Sequence, residues 1–269
     1  MCRLLRVRRS GYYAWRTRPE CERARVDKQL AVEVRSMFEE SRHRYGSPRI
    51  HAELRAKGRI VGRHRIARVM RAQRLKARER RRFVTTTDSG HQLPVAPNLL
   101  RRNFEASAPN QVWAGDVTFI STAEGWLYLA VLIDLFSRRV VGWAMSEKND
   151  EALTLTALQM AIDQRTPPAG LIHHTDRGTT YASTEYQDLL HRTGLRCSMS
   201  RRGNCLDNAV AESFFSTLKT ECTARMTFPS RVAARRVVVD YVAGFYNPTR
   251  RHSTIGFLSP MEFERRVRH

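Results

Sequence analysis

Residues 200–221 read SRRGNCLDNAVAESFFSTLKTE. The pair Gly203-Asn204 predicts a turn, and from about Asn208 the pattern becomes helical. Val210, Phe214 and Leu218 recur every four residues and form one apolar stripe. Asn208, Glu212 and Lys219 fall on another face, since four and seven residues are close to whole turns. A carboxylate and an ammonium thus look out together from the side away from the core. Alone, they describe a solvated face with a weak ion pair. Glu212 gains chemical meaning only if other carboxylates can meet it, so the rest of the chain is read for partners.

Upstream lies a strand-rich segment. Val112 to Ile120 alternates around Asp116, Trp126 to Ile133 is nearly all apolar, and Val140 to Met145 suits a third strand. Residues 151–164 predict an apolar helix. Residues 170–175 predict a fourth strand that ends at Asp176. Ser183 is placed to cap a helix reaching about His191, and residues 195–199 suit a fifth strand before the Glu212 helix. This order, three strands and then strands alternating with helices, predicts a mixed α/β sheet with helices on its faces. Crossover logic puts the fourth strand beside the first, so Asp116 and Asp176 can converge, with Glu212 packed across that end. Asp134, Glu221 and the adjacent His173 and His174 are further candidates. Asp134 reads as a turn or ion-pair residue, and Glu221 lies off the face of Glu212. One histidine is expected in the core and one near the carboxylates.

The 269 residues carry a net charge of +21, unevenly placed. Residues 1–108 hold 28 Lys and Arg against 10 Asp and Glu, hence +18, while residues 109–269 hold 19 against 16, hence +3. A basic module joined to a nearly balanced domain is expected to meet a polyanion. Residues 27–40 predict one helix. Ser47-Pro48 predicts the start of a second, with Ser as N-cap, ending at Gly58. Residues 63–74 predict a third, with Arg63, Arg65, Arg68 and Arg71 outward. These short helices read as helix-turn-helix, or else as a small bundle with solvated arginines. Residues 84–110 are rich in Thr, Ser, Pro and Asn and suit a linker. The division expected is a basic helical region over 1–83, a linker over 84–108 and a catalytic core over 109–269. The five cysteines contain no CxxC pair, which argues against a zinc finger, and their intervals do not form a disulfide framework. No apolar run approaches the ~18 residues of a membrane span, and no secretory signal is visible. A cytoplasmic, nucleoid-associated protein with no membrane contact is expected.

Asp176 and Glu212 are separated by 35 residues. Together with Asp116, HHTDRGTTY (173–181), SMSRRGNCLDNAVAESFFSTLKTE (198–221) and YNPTRRHSTIGFLSP (246–260), this spacing resembles a bacterial insertion-sequence DD(35)E transposase family related to retroviral integrases. More narrowly, the chain resembles that family's second-reading-frame, catalytic product, over essentially its whole length. Thr175 and Leu206 stand where Ser and an aromatic are expected; neither is a metal ligand. The resemblance implies a ribonuclease-H-like fold with Asp116, Asp176 and Glu212 as catalytic triad and metal ligands for two Mg²⁺, which Mn²⁺ can replace. Three carboxylates suit hard cations, and two ions serve an in-line displacement at phosphorus. The implied activity is cleavage of a DNA strand at transposon ends and transfer of its 3′-OH into DNA.

The family carries a basic residue at the position of Lys219, which the resemblance implies holds the transposon end; Asn208, Arg177 and the arginines of the helix-turn-helix region are further candidates for DNA contact. For Lys219 the alternative is a surface lysine paired with a nearby acid. Asp207 and Asn208 are expected to shape the helix start. Tyr246, Asn247, Arg250, Arg251 and His252 either contact DNA or brace the site. The implied partners are double-stranded DNA, further copies of this chain on that DNA, and the product of the upstream reading frame, fused or associated. The rival reading is a non-catalytic DNA-binding regulator that occupies transposon ends and inhibits transposition. A ribonuclease H would share the fold but leave the basic module and the C-terminal motif unexplained.

Overall fold

A computed structural model describes residues 7–78, 95–201, 205–224 and 226–267. It divides into two compact units, Met1–Arg78 and Glu79–His269. Among the described residues no helix is long and apolar enough to cross a membrane.

The first unit is all helical: α1 (Arg9–Thr17), α2 (Glu22–Glu40), α3 (Ser47–Ala56) and α4 (Arg63–Ala72). Leu30, Val34 and Phe38 on α2, Ile50 and Leu54 on α3, and Ile66, Val69 and Met70 on α4 are all buried. These are the positions that the helical period assigned to the inner faces. The start of α3 differs from expectation. Gly46 is the N-cap, with its carbonyl accepting from Arg49 N and Ile50 N, and Ser47 and Pro48 follow inside the helix. Gly46 has the extended backbone that a cap requires, so the Ser47 hydroxyl is not needed there. The helix α1 buries none of its residues, and Trp15 is largely exposed.

The second unit is built on a five-stranded sheet in the order β3-β2-β1-β4-β5. Its strands are β1 (Val112–Thr122), β2 (Gly125–Asp134), β3 (Val140–Ser146), β4 (Ile172–Thr175) and β5 (Arg196–Met199). The first three form an antiparallel meander; β4 lies parallel to β1, and β5 parallel to β4. The fourth strand begins at Ile172, because Gly170 has φ +90° and turns the chain first. On one face α5 (Glu151–Arg165) and α6 (Thr184–Arg192) cover Trp113, Ala130, Leu132 and Val141. On the other face α7 (Ala209–Leu218) and α8 (Arg231–Val239) cover Ile120, Leu127, Leu129, Val131 and Ile133. The chain ends in α9 (Pro260–Val267), whose buried Glu264 takes two hydrogen bonds from Arg165 and one each from Arg139 and Ser137.

Helix α5 crosses β3 at Gly142. A Cβ there would lie 2.3 Å from Ala157 O and 2.7 Å from Ala161 Cβ. Gly142→Ala is therefore expected to force the helix off the sheet and to cost about 1–3 kcal/mol, as overpacking of a tight core does. Chemical denaturation read by far-UV circular dichroism checks it; an unchanged midpoint would contradict the contact.

Of the expected linker, residues 84–94 lie outside the described residues. Residues 95–108 are part of the second unit. Leu100 is buried with Val112, Ala114 and Leu135, Phe104 packs beside them, and Leu99 N donates to Ser198 Oγ at 2.9 Å. The polar composition hid two apolar anchors, which make this stretch a strap across the sheet end.

Candidate active site

Asp116 occupies the middle of β1, two residues beyond Ala114, which with His174 makes the last pair that β1 forms with β4. Its Oδ1 accepts from Val117 N at 2.8 Å. Asp176 follows Thr175, the last residue of β4, and its Oδ1 accepts from Gly178 N at 2.9 Å. Glu212 lies in the first turn of α7. Burial pushes the Asp116 carboxyl well above the ordinary carboxylate range, and the negative charges of Asp176 and then Glu212 push it further. Three carboxylates from two strands and one helix thus stand within electrostatic reach of one another. Among the described residues no three such side chains close into a ready-made cage.

The donor set fits a hard divalent cation. It is all oxygen and anionic, with no thiolate or imidazole among the three. One more oxygen lies next to Asp116's strand: Asn208 Nδ2 donates to Gly115 O at 3.2 Å, which leaves the buried Asn208 Oδ1 without a hydrogen-bond partner. Asn208 stands at the N-cap position of α7 but makes no capping bond. The expectation that it shapes the helix start is therefore corrected, because its amide is held by β1 instead.

Asp207 also departs from a capping role. Its buried carboxylate accepts from Arg201, Arg102 and Asn98, and these guanidinium contacts hold it far below the usual range. Its carbonyl O meets His174 Nε2 at 2.9 Å. Asp207 is therefore a pin, fixing the approach to α7 on the strap and on β4. The turn expected at Gly203-Asn204 lies outside the described residues.

Lys219 begins a π-helical turn, Lys219–Thr223, that continues α7. It is half-buried, with its ammonium 5.1 Å from the centre of the Phe119 ring. Burial lowers its titration and the Asp116 charge raises it, so Lys219 belongs to the site's electrostatics. Arg177 Nε donates to Ser200 O at 2.7 Å, tying the turn after β4 to the end of β5. On α4, Arg65 Nε and Arg68 Nη2 reach Asp27 on α2, at 2.6 and 3.1 Å, whereas Arg63 and Arg71 are exposed. The outward row of four thus holds three exposed arginines, of which Arg68 also pairs with Asp27, and the half-buried Arg65 bound to the same carboxylate.

Asp134 is fully buried and accepts from the backbone of Asn110, Phe136 and Ser137, the turn role expected of it. Ser183 precedes α6 without capping it; its hydroxyl goes to Glu151 and to Thr180 O. Tyr181 was not singled out from the sequence, yet its phenol is pushed well up by burial, with Tyr186, Asp116 and Asp176 adding to the shift. Its place five residues after Asp176, on a short turn, was the available signal.

Both histidines are fully buried. His173 Nε2 pairs with Tyr186 Oη at 2.7 Å, and His174 bonds Ser198 and Ser200. The expected division, one in the core and one by the carboxylates, gives way to two structural histidines. Burial, reinforced by His174, pushes His173 down to about 3 from 6.5. Between those values the unfolded chain binds a proton that the folded chain does not, so stability rises with pH across the window and is lost on acidification. Between pH 7 and pH 5 this one group is expected to remove about 2 kcal/mol. The check is the pH slope of unfolding free energy in wild type minus that in His173→Gln; equal slopes would contradict it.

Family profiles match in the same places. An HTH-like domain covers residues 25–83, an Integrase core domain covers residues 106–205, and a second Integrase core domain profile covers residues 193–260. Fold and site together define a ribonuclease-H-like integrase core in a chain that also carries a helix-turn-helix-like module. The chain is 48% identical over 267 residues to "Transposase InsF for insertion sequence IS3A" of Escherichia coli (strain K12), covering 98% of this chain and 92% of that one. It is 45% identical over 263 residues to "Insertion element IS600 uncharacterized 31 kDa protein" of Shigella sonnei, covering 98% and 97% respectively. The chain belongs to this family of insertion-sequence transposases, polynucleotidyl transferases with an integrase core. Among solved structures it is similar to the HTLV-2 integrase catalytic core domain, with a TM-score of 0.43 and 20% identity over 60% of this chain and 99% of that one.

Proposed function

We propose that this transposase cuts one DNA strand at each end of its element and joins the freed 3′-OH to a second phosphodiester, with Asp116, Asp176 and Glu212 as the reacting centre. The observation that carries the reading is the mutual charge of three carboxylates drawn from β1, β4 and α7. The group they would hold is a pair of Mg²⁺ ions, replaceable by Mn²⁺, which when bound supplies Lewis acidity for both the attacking and the leaving oxygen. The protein's own part is positional. The sheet fixes Asp116 and Asp176, Asp207 pins the entry to α7, and α7 brings Glu212 across. Lys219 holds DNA phosphate beside Asp116, and Asn208 Oδ1 and Arg177 line the same end. In each of the two steps one phosphodiester bond breaks and one P–O bond forms, so a single site serves both.

Residues 1–83 hold duplex DNA through phosphate contacts, with Arg63, Arg68 and Arg71 the exposed arginines of α4 and Arg65 beside them. The active assembly contains more than one copy of this chain on DNA and the upstream-reading-frame product, and in the cell it resides on the nucleoid. The test is a cleavage and joining assay on labelled terminal repeats, with Mg²⁺, with Mn²⁺ or with chelator, with and without the upstream product. Products that require the metal support the reading. Cutting that survives chelation, or none under any combination, overturns it.

A further inference from the structure

Two aromatic side chains with no place in the chemistry described above, Trp126 and Phe119, lie along the same strand pair as Asp116, and Lys219 reaches them. Trp126 follows Gly125, whose φ of +103° makes the β1–β2 turn. The indole is 48% exposed, but the backbone beneath it is firmly held. Arg231 Nε donates to Trp126 O at 3.1 Å, Arg231 N donates to Glu124, and Arg231 Nη1 pairs with Glu147. Ala123 N donates to Phe228 O at 2.9 Å. Phe119 meets the indole edge to face, with ring centres 4.8 Å apart and planes at 75°. The Lys219 ammonium is 5.1 Å from the centre of the Phe119 ring. Since β4 pairs with β1 only as far as Ala114, no described strand flanks β1 on that side from Gly115 to Phe119. By register Phe119 and Trp126 face the α5/α6 side of the sheet and Asp116 the α7 side, and Lys219, whose ammonium lies over Phe119 and whose charge is felt at Asp116, joins the two around that open edge.

A half-exposed indole costs hydration free energy unless a partner covers it. Here the surface combines aromatic faces with a cation, the chemistry that suits a nucleobase and its phosphate. A paired base inside a duplex has both faces covered by its neighbours. A blunt terminal pair offers one outer face, whereas a base that has left the duplex can insert its whole ring on the ledge.

We infer that Trp126, Phe119 and Lys219 form a stacking ledge that receives an unpaired base of the DNA strand entering the carboxylate site. The inference rests on the carboxylate reading given above for the position of that strand. It adds strand opening at the DNA end as a determinant of recognition. Because every base has a π-face, the ledge recognises an open end rather than its sequence.

The experiment uses the full chain without added metal, so that no chemistry intervenes. Affinity is measured for a blunt duplex and for the same duplex with three unpaired 3′ nucleotides, the last of them 2-aminopurine. Wild type is expected to prefer the open end about tenfold, the scale of one stacked base, and to quench the 2-aminopurine. In Trp126→Ala the ratio of the two affinities falls to about one and the quench disappears. Trp126→Phe, which keeps an aromatic face, retains part of both. Equal wild-type affinity for the two DNAs, or an undiminished ratio and quench in Trp126→Ala, overturns the inference. The carboxylate reading fails on a separate axis: cleavage by Asp116→Asn sinks that reading, whereas the metal-free ratio bears on the ledge alone.

Discussion

Asp116→Asn, Asp176→Asn and Glu212→Gln are each expected to abolish both strand cleavage and strand joining, by at least about three orders of magnitude. Each amide keeps the shape of the side chain and removes one negative charge from a site whose charges are mutually felt. On the proposed reading both steps use the same three carboxylates, so neither is expected to survive without the other. The losses are not additive, and a double variant is scarcely worse than a single one, since the three act as one unit. Without metal the sign of the stability change is opposite to that of the activity change. Asp116 is raised by burial and by its two neighbours, so removing any one charge relieves repulsion and is expected to raise the melting temperature slightly. Duplex binding is expected to persist, since the proposed reading gives it to residues 1–83. Asp134→Asn serves as the contrast. Asp134 organises backbone N–H groups of a turn, so its replacement costs stability and leaves no specific cleavage defect in the folded fraction. Cleavage by any of the three amide variants at a tenth of the wild-type rate removes that residue from the site.

Much of this arrangement was legible in the sequence, for physical reasons that differ from part to part. The strands announced themselves by apolar runs too long and too β-branched for surface, and the meander followed from their short separations. Asp116 and Asp176 stood out as carboxylates set against such runs, where burial without a purpose is costly. What the sequence could not show was polar partnership across long separations. Arg65 and Arg68 looked alike to Arg63 and Arg71 by helical phase, and only the packing of α2 against α4 brings Asp27 to the first pair. Asp207 and Asn208 carry good capping side chains, yet tertiary partners, Arg102 and Arg201 for one and Gly115 O for the other, outcompete the local bond. The strap at 95–108 reads as polar because Leu100 and Phe104 are too few to make a periodic signal. Lys219 was placed on the Glu212 face by α-helical phase, but a π-helical turn begins at that residue, and no sequence period reports one.

That same turn decides the meaning of the C-terminal motif, which from sequence either touched DNA or braced the site. Glu221, in the turn, is buried and accepts from Arg250 twice, Nε to Oε2 at 2.9 Å and Nη2 to Oε1 at 2.7 Å. Tyr241 Oη donates to Glu221 Oε2 at 2.9 Å, and the His252 ring lies 3.2 Å from Arg250 Nη1. Asn247 closes the neighbouring backbone with bonds to both the N–H and the carbonyl of Val140. Both charged side chains are almost wholly enclosed, 5% and 7% exposed, so the pair is a clamp between the end of the catalytic helix and the C-terminal segment. Removing one partner leaves an uncompensated buried charge. Arg250→Met is therefore expected to cost about 3–5 kcal/mol, which for a unit of this size lowers the melting temperature by roughly 10 °C. Replacing both, Glu221→Leu with Arg250→Met, is expected to restore part of that stability, because an apolar pair carries no desolvation penalty. Cleavage is expected to fall in Arg250→Met even below its melting temperature, since Lys219 opens the turn that the clamp holds. The two earlier alternatives separate cleanly in one set of measurements. An Arg250 that touched DNA would, on becoming Met, leave the melting temperature where it was and weaken binding to DNA ends, with no rescue from Glu221→Leu. A clamp does the reverse: the melting temperature drops, the second substitution recovers part of it, and duplex affinity through the basic helical unit stays level.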